Sequence, residues 1–440
     1  MSTLAMHGSR VERATLILAF MALFPGFFIY NFLLGTGKIR AFLGGYFSPV
    51  SLVFVLPIVF LYVRQIMRDR TLLSRTDLYF LLFLAFFAAV VVLNAANGAN
   101  MVIVAAHMQA ILFMGNTFIL FKMIDFAQPE FRYPAMLCLL AMSAIIMASS
   151  VDGMFRMDAL AMAKDPDSLS TYQGFARSYL VTFITVIAHT RARPLRALLY
   201  AAGAASLFLN TARSEFVALL FVIPIIEFYF CKNKLMFILV LASLAALISM
   251  NFELLLAQLP NNRILELLDL SHSNSAILRH HMLNQAIQTL SAHPLLGDYA
   301  SYTPGHYAHN ILSAWVDLGI FGFVFLLAIV ILPAISMLIT GLFSRQICGE
   351  FVLGFALACV TILLLVKSHY FSDMLIGATL GAFWRYKHGK NSGKVRPPEA
   401  RPSAPPYPRH RQAAPQPRRA WPKTLMEANH PGEGLEHGEH

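Results

Sequence analysis

Charge is what this chain has least of. Asp, Glu, Lys and Arg make up 13% of its 440 residues, whereas hydrophobic residues make up 57%. Soluble globular domains carry about 25% charged residues. The deficit excludes an ordinary soluble protein and points to a chain that crosses a membrane many times. Cysteine is equally scarce. Cys138, Cys231, Cys348 and Cys359 lie in or beside apolar runs and form no CxxC or Cys/His cluster. That excludes a disulfide framework and a zinc site. A cleavable signal peptide is not expected, because the first apolar run lacks a small-residue cleavage site and further runs follow it.

What is present is a series of apolar segments, each near the ~20 residues that a membrane-spanning helix needs. They are expected at 14–35, 43–63, 78–96, 101–121, 134–151, 175–190, 195–211, 215–231, 234–256, 310–341, 350–367 and 370–385. The fold class is therefore an all-α polytopic membrane protein of about twelve transmembrane helices. Arg64, Arg68, Arg70 and Arg75 follow the second segment, and Lys122 and Arg132 the fourth. Arg191, Arg193 and Arg196 follow the sixth, and Lys232 and Lys234 the eighth. Arg345 follows the tenth, and Arg385, Lys387 and Lys390 the twelfth. Basic loops stay in the cytoplasm, so both termini are expected there. The same rule accounts for the net charge of +11 without invoking nucleic acid. Residues 388–440 are rich in Pro and Arg, with no apolar periodicity, and read as a disordered cytoplasmic tail. The membrane domain is 1–387.

The opposite face has two long loops, about 152–174 and 257–309. Its basic residues break the charge rule and need another reason. They are Lys38, Arg40, Arg156, Lys164, Arg177, Arg213, Arg263, Arg279 and Lys367. The stretch "SNSAILRHHMLNQAIQTLSAHPLLGDY", 273–299, places Leu278, Met282, Leu283, Ala286 and Leu290 on one stripe. It reads as an amphipathic helix lying at the membrane surface, ended by Pro294 and Gly297. A loop then leads to "HYAHNILSAWVDLGIFGF", 306–323, where His309 and Asn310 stand at the lip of the tenth segment. Position alone admits an interfacial, helix-capping histidine. It also admits a general base, since neutral imidazole takes a proton from a hydroxyl near neutral pH. Arg213, in "LNTARSEFVALL", reads either as a snorkelling arginine paired with Glu215 or as an anion-binding fork.

The order of an arginine at a short turn, an arginine on an outer-loop helix, "HPLLG", and then "HN" followed by Trp315, Leu318-Gly319 and Gly322-Phe323 resembles the O-antigen ligase and polysaccharide polymerase superfamily. The specific likeness covers about 207–217 and 273–323. "TARSEF" departs from the more usual "SRG" or "SRT", and the segment before His309 keeps only Gly297 and Gly305 of a glycine-rich pattern. The resemblance implies a bacterial inner-membrane glycosyltransferase with a helical periplasmic loop before the tenth helix. The implied donor is a glycan on undecaprenyl pyrophosphate, and the acceptor is a sugar hydroxyl on a glycan or lipid-linked glycan. His309 would be the catalytic base, and Arg213 and Arg279 would bind the leaving pyrophosphate. The reaction would invert the anomeric carbon without a metal or cofactor, with fixed Arg charge in place of cations. Arg177, His306, Asn310, Lys38 and Arg40 are accessory candidates. His306 could stand in as the base. Lys38 and Arg40 fit either the pyrophosphate entrance or outer-leaflet headgroups. Tyr172 and Gln173 are candidates for the sugar groove.

Asp317, within the tenth segment, is expected to face the bundle interior and orient a neighbouring helix, with Gly319 and Gly322 allowing close helix approach and Trp315 packing. Polymerisation of exopolysaccharide or O-antigen repeat units is the leading expectation, with a chain-length regulator as a further partner. The alternative is ligation of finished glycan to lipid A-core. A more distant alternative is a flippase of lipid-linked sugars. Such a transporter needs ionisable residues in several mid-membrane spans, and here His107, His189 and Asp317 are the main ones.

Overall fold

A computed structural model describes residues 9–40, 46–69, 73–151, 153–155, 172–252, 254, 274–344 and 347–392. Arg70, Arg156, Lys164, Arg263, Arg345, the side chains of Tyr172, Gln173 and Lys390, most of the long loop before residue 274, and the Pro/Arg-rich tail lie outside the described residues. The helices are α1 (Arg10–Gly35), α2 (Phe47–Arg68), α3 (Arg75–Ala96), α4 (Met101–Met123) and α5 (Pro129–Ala148). They continue as α6 (Tyr172–Ala188), α7 (Arg193–Leu209), α8 (Arg213–Phe230), α9 (Lys234–Met250), α10 (Asn274–Ala292), α11 (Leu312–Gly341), α12 (Gly349–Lys367) and α13 (Leu375–Ser392). A two-residue hairpin, Ser150–Val151 against Met154–Phe155, follows α5.

Each expected segment overlaps one of these helices, and α10 lies where the amphipathic helix of the 257–309 loop is expected. Seven of them, α1 to α5, α11 and α12, are long and apolar enough to cross a membrane. The others fall short for simple reasons. A 17-residue helix such as α7 or α9 reaches only about 25 Å against a hydrocarbon core of ~30 Å. Helix α8 carries Arg213, Glu215 and Glu227, and α13 ends in a basic run.

Local sequence explains where the helices start and bend. Ser9 and Glu12 form a capping box at α1, as do Ser74 and Asp77 at α3. Asn100 and Asn233 cap α4 and α9. Pro25 removes a backbone donor within α1, and a π-turn over Ala22–Gly26 absorbs the change. The tightest pairing is α4 beside α13. A Cβ on Gly377 would meet the Met114 carbonyl oxygen at 2.1 Å, and one on Gly381 would meet that of Phe118 at 2.4 Å. The GxxxG spacing thus lets two backbones touch.

Three basic residues assigned to cytoplasmic loops by the charge rule are not in water. Lys122, Arg196 and Arg385 are 1%, 3% and 7% exposed. Each meets a carboxylate from another helix or loop. Lys122 is bonded to Asp77, Arg196 Nε is 2.6 Å from Glu227, and Arg385 is 3.3 Å from Asp125. The sequence separation of these partners hides the pairing from a loop-by-loop count.

Helix α11 is broken at Gly319, where φ is 69° and ψ 179°. The "HPLLG" turn lodges in that break. Ile320 donates its N–H to the Leu295 carbonyl at 3.0 Å, and Asp298 donates to the Val316 carbonyl at 2.8 Å. Trp315 Nε1 donates to the Pro294 carbonyl at 2.7 Å. A Cβ on Gly297 would lie 2.2 Å from the Val316 oxygen, and one on Gly319 would lie 2.6 Å from that of Leu295. Gly319 therefore admits a turn rather than a helix. Gly322 does face a helix, since its Cβ would meet Phe86 of α3 at 2.8 Å.

Candidate functional site

The segment that "HPLLG" anchors to α11 carries Tyr299, Tyr302, Tyr307 and His309. Asp317 holds this segment in place. It accepts the Ala300 N–H at 3.0 Å, where Ala300 has a φ of 57°, and the Tyr302 hydroxyl at 3.2 Å. Tyr370 also donates to it. Tyr370 lies 2.6 Å from the Tyr302 hydroxyl and 2.7 Å from His107 Nε2, and Tyr299 reaches His107 Nδ1 at 2.8 Å. One buried carboxylate and one buried imidazole thus fix three tyrosines under the loop. The orienting role expected for Asp317 is directed at the loop and at the α12–α13 connection.

Above this floor opens a cavity of about 370 Å³. Phe27, Phe47, Phe113 and Met374 form its apolar side. Arg177, Tyr307, His309, His369 and Asp373 form its polar side. Arg177 comes from α6, and His369 and Asp373 from the α12–α13 connection. Glu215, in the first turn of α8, stands behind His369 and is fully buried.

The two histidines on this wall have opposite surroundings. His369 Nδ1 lies 2.9 Å from Asp373 Oδ2, and its Nε2 lies 3.2 Å from Glu215 Oε1. Burial and the nearby Arg177 disfavour its charge, but hydrogen bonds to the two carboxylates outweigh them and raise its pKa. With both nitrogens donating, Arg177 Nη2, 3.1 Å from Nδ1 and 3.4 Å from Nε2, lies against the ring. Arg177 Nη1 is 3.3 Å from Asp373. The Asp373 carboxylate is buried, yet Arg177 and His369 hold it below the usual range.

His309 has no carboxylate partner among the described residues. Burial, Arg279 and the His369 charge push its pKa down to about 4, opposed by a hydrogen bond to the Ser368 backbone. Its ring is neutral at pH 7, and a neutral imidazole can accept a proton. Tyr307 packs on it, ring centroids 4.7 Å apart.

The other candidates are dispersed around this centre. Arg279, half-buried on α10, does not line the cavity, but its charge acts on both His309 and Tyr307. Arg213 is half-buried at the start of α8, two residues from Glu215, and is likewise off the cavity wall. Glu215 is bonded to His369 and to Ser214. His306 is exposed and lines a different cavity of about 350 Å³, with Gln285, Gln288, Thr289, Ser301 and Thr303. Tyr307 lines both cavities. Asn310 stands just before α11, its Oδ1 accepting the Leu312 N–H at 3.0 Å. Lys38 and Arg40 are exposed beyond α1, with no ion pair among the described residues.

His369, Asp373 and Glu215 were missed in the sequence, as was the role of Tyr370. "SHYFSD", 368–373, straddles the start of the twelfth expected segment, whose helix begins only at Leu375. Its H-x-x-x-D spacing, on residues with no reason to sit in lipid, was the available signal. Among the described residues no group of three or more His, Cys, Asp or Glu side chains is placed to hold a metal ion. No family model and no curated protein matches this chain.

Proposed function

We propose that the chain is a metal-independent, inverting glycosyltransferase of the bacterial inner membrane. In this reading it has twelve crossings, cytoplasmic termini and a periplasmic site. It moves a glycan from undecaprenyl pyrophosphate to a sugar hydroxyl, polymerising repeat units of a surface polysaccharide. The observation that carries the reading is the two-sided cavity: a neutral His309 between a phenylalanine-lined wall and an arginine-bearing wall. A lipid-linked pyrophosphate has the same two-sided character.

The chemistry follows from the protonation states. A pair of ionisable groups pushed in opposite directions marks an acid/base site, and here the pKa of His309 is pushed down while that of His369 is raised. His309 takes the proton of the acceptor hydroxyl. The acceptor oxygen bonds to the anomeric carbon as the bond from that carbon to the pyrophosphate oxygen breaks. The pyrophosphate leaves with the electron pair, and Arg279 and Arg213 balance its charge. Arg177 adds a buried Nε with no hydrogen-bond partner. The second cavity, lined by amides and hydroxyls and separated by Tyr307, suits the incoming glycan.

The test is the purified protein in vesicles with a labelled undecaprenyl-pyrophosphate-linked repeat unit. Wild type should build longer lipid-linked products, with chelator present, and the His309→Ala variant should not. Transfer only to added lipid A-core would reassign the protein as a ligase. Movement of label across the membrane without any glycosidic bond formed would reassign it as a transporter.

A further inference from the structure

We infer a binding site for an anionic phospholipid on the outside of the bundle, at the end away from His309. Helices α3, α11 and α13 leave between them a groove of about 480 Å³. Phe80, Phe325, Ile329, Leu332 and Phe383 line it. Leu332 and Tyr79 are 63% and 53% exposed, so the groove opens on the bundle surface. Along α11 it runs from Phe325 to Ser336, about 16 Å at 1.5 Å per residue. That is the depth of one leaflet of a ~30 Å hydrocarbon core.

The mouth of the groove has a sign. Arg75 and Lys387 both line it, both are exposed, and neither has an ion pair among the described residues. Among the described residues no carboxylate lines the groove. This sets the pair apart from Lys122, Arg196 and Arg385 at the same end, each of which meets a carboxylate. Thr76 and Ser336 add hydroxyl donors beside the two cations. An acyl chain fits the apolar length, and a phosphate fits the cationic mouth. A zwitterionic headgroup leaves the excess positive charge unbalanced and brings a cation of its own toward Arg75. The occupant is therefore a lipid of net negative charge. Intramembrane basic pockets of this kind bind anionic headgroups, and the inference does not depend on the proposed reaction.

The test uses the full chain in neutral detergent, titrated with phosphatidylglycerol or phosphatidylcholine of identical acyl chains and read by native mass spectrometry. Each surface cation adds about five-fold to anionic-lipid binding, so the two together should favour phosphatidylglycerol by on the order of twenty-fold. Arg75→Gln with Lys387→Gln should erase that preference, and Arg75→Lys should keep it. Ala328→Phe, which fills the groove, should weaken both lipids. Millimolar inorganic phosphate should not displace the bound lipid. Equal binding of the two lipids by wild type, an undiminished preference in the double Gln variant, or full displacement by inorganic phosphate would each overturn the assignment. Because both Gln substitutions lie on exposed positions, folding is not at issue in the decisive arm.

Discussion

The two ends of the bundle both bury charge, and they do so to different effect. At one end Lys122, Asp77 and Tyr62 close on each other, with the Lys122 ammonium 4.4 Å from the Trp384 ring centroid. Arg385 lies between Asp125 and Glu350, and Arg196 is forked onto Glu227. Each of these cations has a carboxylate. At the other end Arg177 meets Asp373, and His369 sits between Asp373 and Glu215. Beside them, however, stands His309, which has no carboxylate partner among the described residues and is neutral, at the edge of a cavity. Compensated charge locks helices together, and the neutral imidazole at the cavity is the group the proposed reaction uses as its base.

The sharpest way to break the comparison is to remove one residue from each end. General-base assistance contributes typically 10²- to 10⁴-fold, so His309→Ala should lower turnover by about that much while the protein still inserts and folds. Lys122→Met should do the reverse. It leaves Asp77 buried without its partner, a change that costs about 3–5 kcal/mol in folded proteins. Thermal unfolding in detergent should shift down markedly, while turnover per folded molecule stays near wild type. If His309→Ala unfolds the protein, or Lys122→Met abolishes turnover of the folded fraction, the two ends do not divide the work in this way.

The helices were legible in the sequence because apolar runs need no partner to be seen. What escaped was pairing across sequence distance. Lys122 looks like a loop residue until Asp77, 45 positions away, is placed beside it. Gly377 and Gly381 look like ordinary small residues until α4 is packed on them. The base candidate and Arg279 came from the stretch 273–323 around "HPLLG" and "HN", and Arg213 from the separate short turn "TARSEF". The carboxylates that raise the His369 pKa, Glu215 and Asp373, come from α8 and the seven-residue connection between α12 and α13, and no local pattern unites them.

A second, smaller effect concerns Arg279 and Arg213. Charge-assisted hydrogen bonds contribute about 1.5–3 kcal/mol, so Ala at either position should lower turnover roughly ten- to a hundred-fold. Lys should restore part of it, because a point charge lacks the bidentate fork. Full restoration by Lys would mean the position supplies only long-range charge.

Arg279 also offers a pH test. With the His309 pKa lowered to about 4, the base is unprotonated across neutral pH. Free-enzyme activity, kcat/KM, should stay flat as pH falls and drop only near pH 4. Burial is the largest cause of the lowering and Arg279 the next. Arg279→Gln removes a positive charge, so protonated His309 becomes easier to form and the acid limb should move upward. A downward move, or an acid limb near 6.5 in wild type, the ordinary histidine value, would contradict this electrostatic picture.

The smallest expected effect separates the two histidines of the loop. His306 and His309 are three residues apart, yet they serve different cavities, with Tyr307 between them. His306 is exposed and faces Gln285, Gln288 and Thr289 of α10. A side chain there can hydrogen-bond an acceptor glycan but is not on the wall that holds His309 and Arg177. Its loss removes one exposed hydrogen bond, which contributes about 0.5–1.5 kcal/mol. His306→Ala should therefore raise the acceptor KM by a few-fold to about ten-fold, with kcat near wild type, since the interaction is made equally before and during reaction. A fall in kcat comparable to that of His309→Ala would move the base to His306. It would also require the α10 cavity, rather than the phenylalanine-lined one, to receive the reacting bond.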